Sequence, residues 1–317
     1  MIILIRIYKN EMEQEEVKLI HHVEDNCWIK MIHPTDEEIK MVVDELKIDE
    51  DLITKVLDEE ELPRVEKTDN ATLVVVDCPY WDDHHVKNKY HTYPLGIIIC
   101  NDLHIVTVSL KEFDYLKEFE DGKVKTFYTY KKSRFLIQIL LKTASAYLKV
   151  LNVVNDDIRK KEKILYNSTN NKHLVELLDI EKTLVYFITS LKANDVVLEK
   201  LSKGNVIMMY DEDIELLDDT MIENRQGIEM CTIYKEILSS ITDTYATIVS
   251  NNLNVVMKFL AGATIVLAIP TMISSFLGMN ISLGDFAKKD YAFMVVCVFS
   301  LILALFVAYL LKKKDML

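Results

Sequence analysis

Hydrophobic positions change their spacing along this chain, and each spacing names a different element. In the first 108 residues short apolar runs alternate with polar stretches. Ile2–Tyr8, Cys27–Met31, Ala71–Cys78, Tyr93–Cys100 and His104–Val108 read as strands. Between them, Thr35–Leu46 and Glu50–Glu61 carry helical spacing. Thr35 and Glu38 after Pro34 form a capping box. Four of the five prolines, Pro34, Pro63, Pro79 and Pro94, punctuate this region. It is expected to be an α/β head over residues 1–125.

From Lys123 to Lys203 neither glycine nor proline occurs. Apolar residues recur three and four apart, with a polar break at Asn167–Lys172. Two long helices are predicted, at 131–166 and 173–201. Gly204-Asn205 marks a turn. A third helical tract begins near Met208; from Ile228 to Ala261 it again has neither glycine nor proline, and it runs directly into an apolar run. Continuous from 208 to 278, it would be on the order of 100 Å long, a stalk leading to a membrane. A helical domain and stalk over 126–250 and a membrane hairpin over 251–317 follow.

The hairpin consists of two unbroken apolar runs, Phe259–Leu277 and Tyr291–Leu311, without an ionisable residue. Each is about the ~20 residues that cross a bilayer core. The connector spans 278–290. Pro270 inside the first span is tolerated there.

One face of the first span is set apart. Counting back from Gly278, the positions Ser275, Thr271, Ala268, Thr264, Ala261, Met257, Asn254, Ser250, Thr247 and Asp243 follow by alternating steps of three and four. That is the period of a helix-bundle seam. All but Met257 are small, polar or acidic, while Phe259, Val266, Ile269, Ile273 and Phe276 lie elsewhere. Close helix packing explains the alanines and the glycine. It does not explain Asn254, Ser250 and Asp243, which call for water or a partner. Several copies around an axis would turn the stripe into a pore lining, which requires a cyclic oligomer. The second span has only Ser300 as a lone hydroxyl and suits an outer ring.

Composition narrows the function. The formal charge is −13; the last 67 residues hold six Lys against three Asp, so the first 250 carry about −16. An acidic soluble part repels nucleic acid and is compatible with cations. Five scattered cysteines without a CxxC pair suggest neither structural zinc nor a disulfide framework. MIILIRIYKN is too short in apolar length for a signal peptide, so the head is expected on the cytoplasmic side. No phosphate loop or nucleophile–base pair stands out, so no enzyme is expected.

Gly278-Met279-Asn280 at the end of the first span, the Asn254-Val-Val-Met257-Lys258-Phe-Leu260 stretch, Ile269-Pro270-Thr271 and the basic Lys312–Lys314 after a second span together resemble the CorA family of magnesium and cobalt channels. The resemblance implies a homopentamer in the cell membrane, with both termini cytoplasmic, conducting Mg2+ and Co2+ along the membrane potential and closing when intracellular Mg2+ rises. It implies that Gly278, Met279 and Asn280 form the selectivity filter, Met279 as a packing residue. Asn254, Met257, Leu260, Ala261, Thr264, Ala268, Thr271 and Ser275 would line the pore. Asp243 and Asp219 would be regulatory carboxylates, with Asp77, Asp82 and Asp83 as head candidates for their partners. Leu277, where the family has an aromatic residue, and an outer loop carrying Lys288 and Lys289 depart from the pattern.

Amide and carbonyl oxygens suit Mg2+, which keeps its waters. His or Cys in the stripe would favour softer ions. The alternatives are a zinc or other transition-metal transporter of the same superfamily, and a membrane-anchored cation sensor without transport. Asp82-Asp83-His84-His85 with His91 reads as a polar loop between strands rather than a zinc cluster.

Overall fold

A computed structural model describes residues 5–11, 16–81, 89–100, 103–167, 172–204, 206–279 and 291–314. Seven strands come first: β1 Ile5–Asn10, β2 Val17–Ile20, β3 Trp28–Ile32, β4 Arg64–Lys67, β5 Ala71–Trp81, β6 Tyr90–Cys100 and β7 His104–Ser109. They form one sheet in the order β2-β1-β3-β7-β6-β5-β4. Only the β3–β7 pair is parallel; the other pairs are antiparallel.

Period-two alternation feeds two cores, one on each face. Val74, Val76 and Cys78 of β5 join Trp28, Phe119, Phe127 and Phe135 on one face. Leu73 and Val75 join Ile39, Val42, Leu46, Leu52 and Ile53 on the other. The second face is covered by α1 (Asp36–Leu46) and the short α2 (Asp51–Thr54). The first is covered by α3 (Asp114–Glu120), α4 (Lys132–Asn167) and α5 (Lys172–Ser202).

The capping box forms as expected: the Thr35 side chain accepts from Glu38 N, and Glu38 reaches back to Thr35 N. The helix expected over Glu50–Glu61 is much shorter. It ends as a 3-10 turn at Lys55–Leu57, where Asp58 turns extended and its carboxylate accepts from Glu60 N at 3.0 Å. That side-chain turn competes with helix continuation. The 3-10 turn lies so close to β6 that a Cβ on Gly96 would stand 2.6 Å from Val56 Cγ2.

Two compact units result, Met1–Ser240 and Ile241–Leu317. The expected helical section after residue 126 is therefore not a separate body. α4 and α5 bury their apolar faces against the head sheet, and α6 (Asp211–Leu277) joins them along Asp213, Leu217, Thr220, Asn224, Gly227, Cys231 and Leu238. Asn224 Nδ2 donates to Leu191 O of α5 at 3.0 Å.

The second unit holds the rest of α6 and α7 (Ala292–Lys313). By length and composition α4, α6 and α7 are each apolar enough to cross a bilayer. Over half of the apolar window of α4 is buried inside the protein, whereas those of α6 and α7 are 6% buried. α4 thus has a protein core to cover it; the other two need another apolar medium.

Candidate functional site

Within the second unit, the face of α6 that carries the small and polar stripe is open. Asp243, Thr247, Ser250, Asn254, Met257, Ala261, Thr264, Ala268, Thr271, Ser275 and Gly278 are all exposed, as is Leu260 beside them. The covered positions of this span are Gly262, Ala263, Val266, Ile269, Pro270, Ile273 and Leu277. At about 100° per residue these lie on roughly the opposite side of the helix. On α7 the covered positions are Ala292, Val296, Ser300, Leu303, Ala304, Val307, Ala308 and Leu311. Small residues recur among them, a pattern that permits close helix packing in a membrane. Sequence reading had passed over this second small-residue face, because alanines in an apolar run attract no attention until burial singles them out.

The threonine hydroxyls of the stripe are committed to the helix itself. Thr247 Oγ1 donates to Asp243 O at 3.0 Å, Thr264 Oγ1 to Leu260 O at 2.8 Å, and Thr271 Oγ1 to Leu267 O at 3.1 Å. Each hydroxyl has one proton, so what it can still present outward is lone pairs. The groove lined by Thr264, Leu267, Ala268, Thr271, Met272, Ser275 and Phe276 is mainly apolar, with the threonine oxygens as its acceptors.

At the end of α6, Gly278 N donates to Ser274 O at 2.9 Å and Met279 N to Phe276 O at 3.4 Å. A Cβ on Gly278 would touch Ser274 O at 3.4 Å and Ser275 O at 3.6 Å, ordinary contact. Among the described residues nothing demands glycine here. Met279, expected as a packing residue, is 54% exposed in the single chain. Asn280 and the loop to residue 290 lie outside the described residues, as do Asp82 and Asp83 with His84 and His85.

Asp219 and Asp243 are both exposed on α6. The three-four alternation also continues toward the start of the helix, through Ser240, Glu236, Ile233, Glu229, Gln226, Ile222, Asp219, Glu215 and Glu212, all exposed. Asp219 is on the same count as Asp243. Ile222 and Ile233 interrupt its polar character, which is why sequence reading ended the stripe at Asp243.

Asp77 is placed differently from the other acids. Its backbone N–H donates to Asn194 Oδ1 at 2.9 Å, and its carbonyl accepts from Asn194 Nδ2 at 2.8 Å and from the Tyr147 hydroxyl at 3.3 Å. Ser190 Oγ donates to its carboxylate at 2.6 Å. Burial pushes this carboxyl above its usual value, opposed by the Ser190 bond. Asp77 thus fastens α5 to β5. The structure does not bring it together with Asp219 or Asp243 in a metal-holding group; no group of three such ligands occurs among the described residues.

Comparison with known proteins bears on all of this geometry. A family model described as CorA-like Mg2+ transporter protein matches residues 23–313. The cobalt/magnesium transport protein CorA of Methanocaldococcus jannaschii is 27% identical over 313 residues, covering 96% of this chain and 93% of that one. The complete structure of the CorA magnesium transporter from the same organism superposes with a TM-score of 0.86 at 24% identity, covering 100% of both chains. Full-length CmaX superposes at 0.70 with 12% identity, covering 96% of this chain and 97% of that one. The chain belongs to the CorA-like Mg2+ transporter family.

Proposed function

We propose that this chain is one subunit of a homopentameric channel in the cell membrane that conducts Mg2+, and Co2+ with it, inward along the membrane potential. The observation that carries this reading is the stripe from Asp243 to Gly278: exposed throughout, carrying threonine acceptor oxygens, and opposite the covered face of the same helix. A lipid-facing helix has no use for such a face, whereas copies placed around an axis enclose it. Acceptor oxygens match the outward-pointing protons of a hydrated cation, and an anion's shell points the other way. Asn254, Met257, Leu260, Ala261, Thr264, Ala268, Thr271 and Ser275 line the conduit. Gly278 and Asn280 close its outer mouth as the filter, with Met279 beside them.

The test is ion flux into proteoliposomes of the purified protein, comparing Mg2+, Co2+, Ni2+ and Zn2+. Mg2+ and Co2+ are expected to pass, and Asn280→Ala to abolish their passage without altering the thermal melt. Zn2+ flux in preference to Mg2+ would select the transition-metal reading. No flux of any ion would leave a membrane-anchored sensor. Normal Mg2+ flux in Asn280→Ala would remove the filter assignment.

A further inference from the structure

A second cluster of ligand-type side chains sits far from the pore in sequence, on the α1–α2 side of the head sheet. Cys27 precedes β3 and His104 opens β7, the parallel neighbour of β3. Their strands pair as Trp28 with Ile105, and Ile105 N donates to Cys27 O at 3.2 Å, so the two residues stand side by side. Cys27 Sγ lies 3.5 Å from His104 Nδ1. Two positions before Cys27, across Asn26 with its left-handed φ of 65°, Asp25 is exposed at the turn.

That separation admits two readings. A thiol donating to an imidazole nitrogen is one. The other follows from coordination geometry. A tetrahedral Zn2+ holds sulfur at about 2.3 Å and nitrogen at about 2.0–2.1 Å, which sets those two atoms about 3.5–3.6 Å apart. The pair already stands at the spacing of two adjacent ligands of such an ion.

We propose that Cys27 and His104, completed by the Asp25 carboxylate and water, form a cytoplasmic site for a thiophilic divalent ion, Zn2+ or Co2+. Thiolate and imidazole together favour such ions over Mg2+, which prefers oxygen. No three ligand side chains converge on one point among the described residues; the ion recruits the exposed Asp25 to the preformed pair. A metal binds the thiolate and the neutral imidazole, so the ion enters by displacing the thiol proton to solvent. The site is independent of the pore reading.

Co2+ added to the purified full-length protein, with Mg2+ in excess to occupy oxygen sites, provides the test. One equivalent should bind and give the thiolate-to-cobalt charge-transfer absorption, which Zn2+ then bleaches. Cys27→Ser should lose the band. His104→Gln, at a half-exposed position, should weaken Co2+ binding beyond the about 10–100-fold that a mere supporting neighbour costs. Cys297→Ser and Asn280→Ala should keep the band unchanged. Absence of the band in the wild type, or its survival in either Cys27→Ser or His104→Gln at wild-type affinity, overturns the site. Circular dichroism without metal confirms that each variant folds, and His104→Gln decides alone if Cys27→Ser does not.

Discussion

Two ionic residues in the head, the buried Lys30 and the half-buried Asp77, behave oppositely when altered. Lys30 is 1% exposed in the middle of β3, and its ammonium meets Glu120 closely and Glu112 at 3.5 Å. Tyr8 donates to the same Glu120 at 2.5 Å, and Arg6 approaches it at 3.4 Å. Removing one partner strands a buried charge, so Lys30→Ala should cost about 3–5 kcal/mol in the denaturant-derived stability. Lys30→Met with Glu120→Gln should recover most of that loss; a double variant no better than Lys30→Ala would show that packing, not charge, dominates. Asp77 works the other way. Its folded carboxyl is raised above the unfolded value, so the fold binds a proton more readily than the open chain does. Stability is therefore lost as pH rises from the unfolded carboxylate value of about 3.9 through the raised one, and the penalty stays in place above it. Asp77→Asn keeps an acceptor for Ser190 and should raise the melting temperature at pH 7, with no gain below pH about 3.9. A lower melting temperature at pH 7, or a loss of Mg2+-dependent stabilisation, would instead make Asp77 a metal ligand.

At the scale of elements, what could be read from sequence depended on how much of an element's stability is its own. α4 and α5 are long tracts free of Gly and Pro, α6 carries its three-four spacing through Gly227, Gly262 and Pro270, and all three stand within a few residues of expectation. β5, β6 and β7 were legible because both of their faces are buried, which leaves near-continuous apolar runs. β2 (Val-Lys-Leu-Ile) and β4 (Arg-Val-Glu-Lys) escaped notice: both are four-residue edge strands, held by one neighbour and carrying charge outward. The spacing of the stripe on α6 was legible, because its three-four alternation is unbroken and its neighbours are bulky, and the structure leaves these positions exposed. Its extension was hidden by Ile222 and Ile233. That extension carries Glu212, Glu215, Asp219, Glu229 and Glu236 and no Lys or Arg. If it follows the stripe around the same axis, copies of these acids repel and the space between them holds water and cations. Glu229→Gln with Glu236→Gln should then reduce cation efflux from the cytoplasmic side several-fold at low ionic strength. At about 1 M salt the difference should vanish, since screening shortens to about 3 Å. Equal efflux at both ionic strengths would place these acids on an outer surface.

The whole molecule adds the question of how such a pore closes. Asp219 and Asp243 stand exposed on α6, and no group of three ligand side chains gathers among the described residues. In the proposed ring, a metal site using them would draw its remaining ligands from a neighbouring subunit. Carboxylates meeting across a subunit boundary repel until a divalent ion neutralises them. Bound Mg2+ would hold adjacent subunits in the closed ring; its loss would loosen the boundaries and let the stripe from Asn254 to Thr271 hydrate. The ion must bind the closed ring better than the open one, or it shifts nothing. A closed ring shields α6, so Mg2+ at millimolar levels should protect the helix from protease and inhibit flux over the same concentration range. Asp219→Ala with Asp243→Ala should weaken both responses together, while leaving flux in the absence of internal Mg2+ intact. If the double variant keeps wild-type Mg2+ dependence in both measurements, closure is read elsewhere in the head, and Asp82 and Asp83 become the next residues to change.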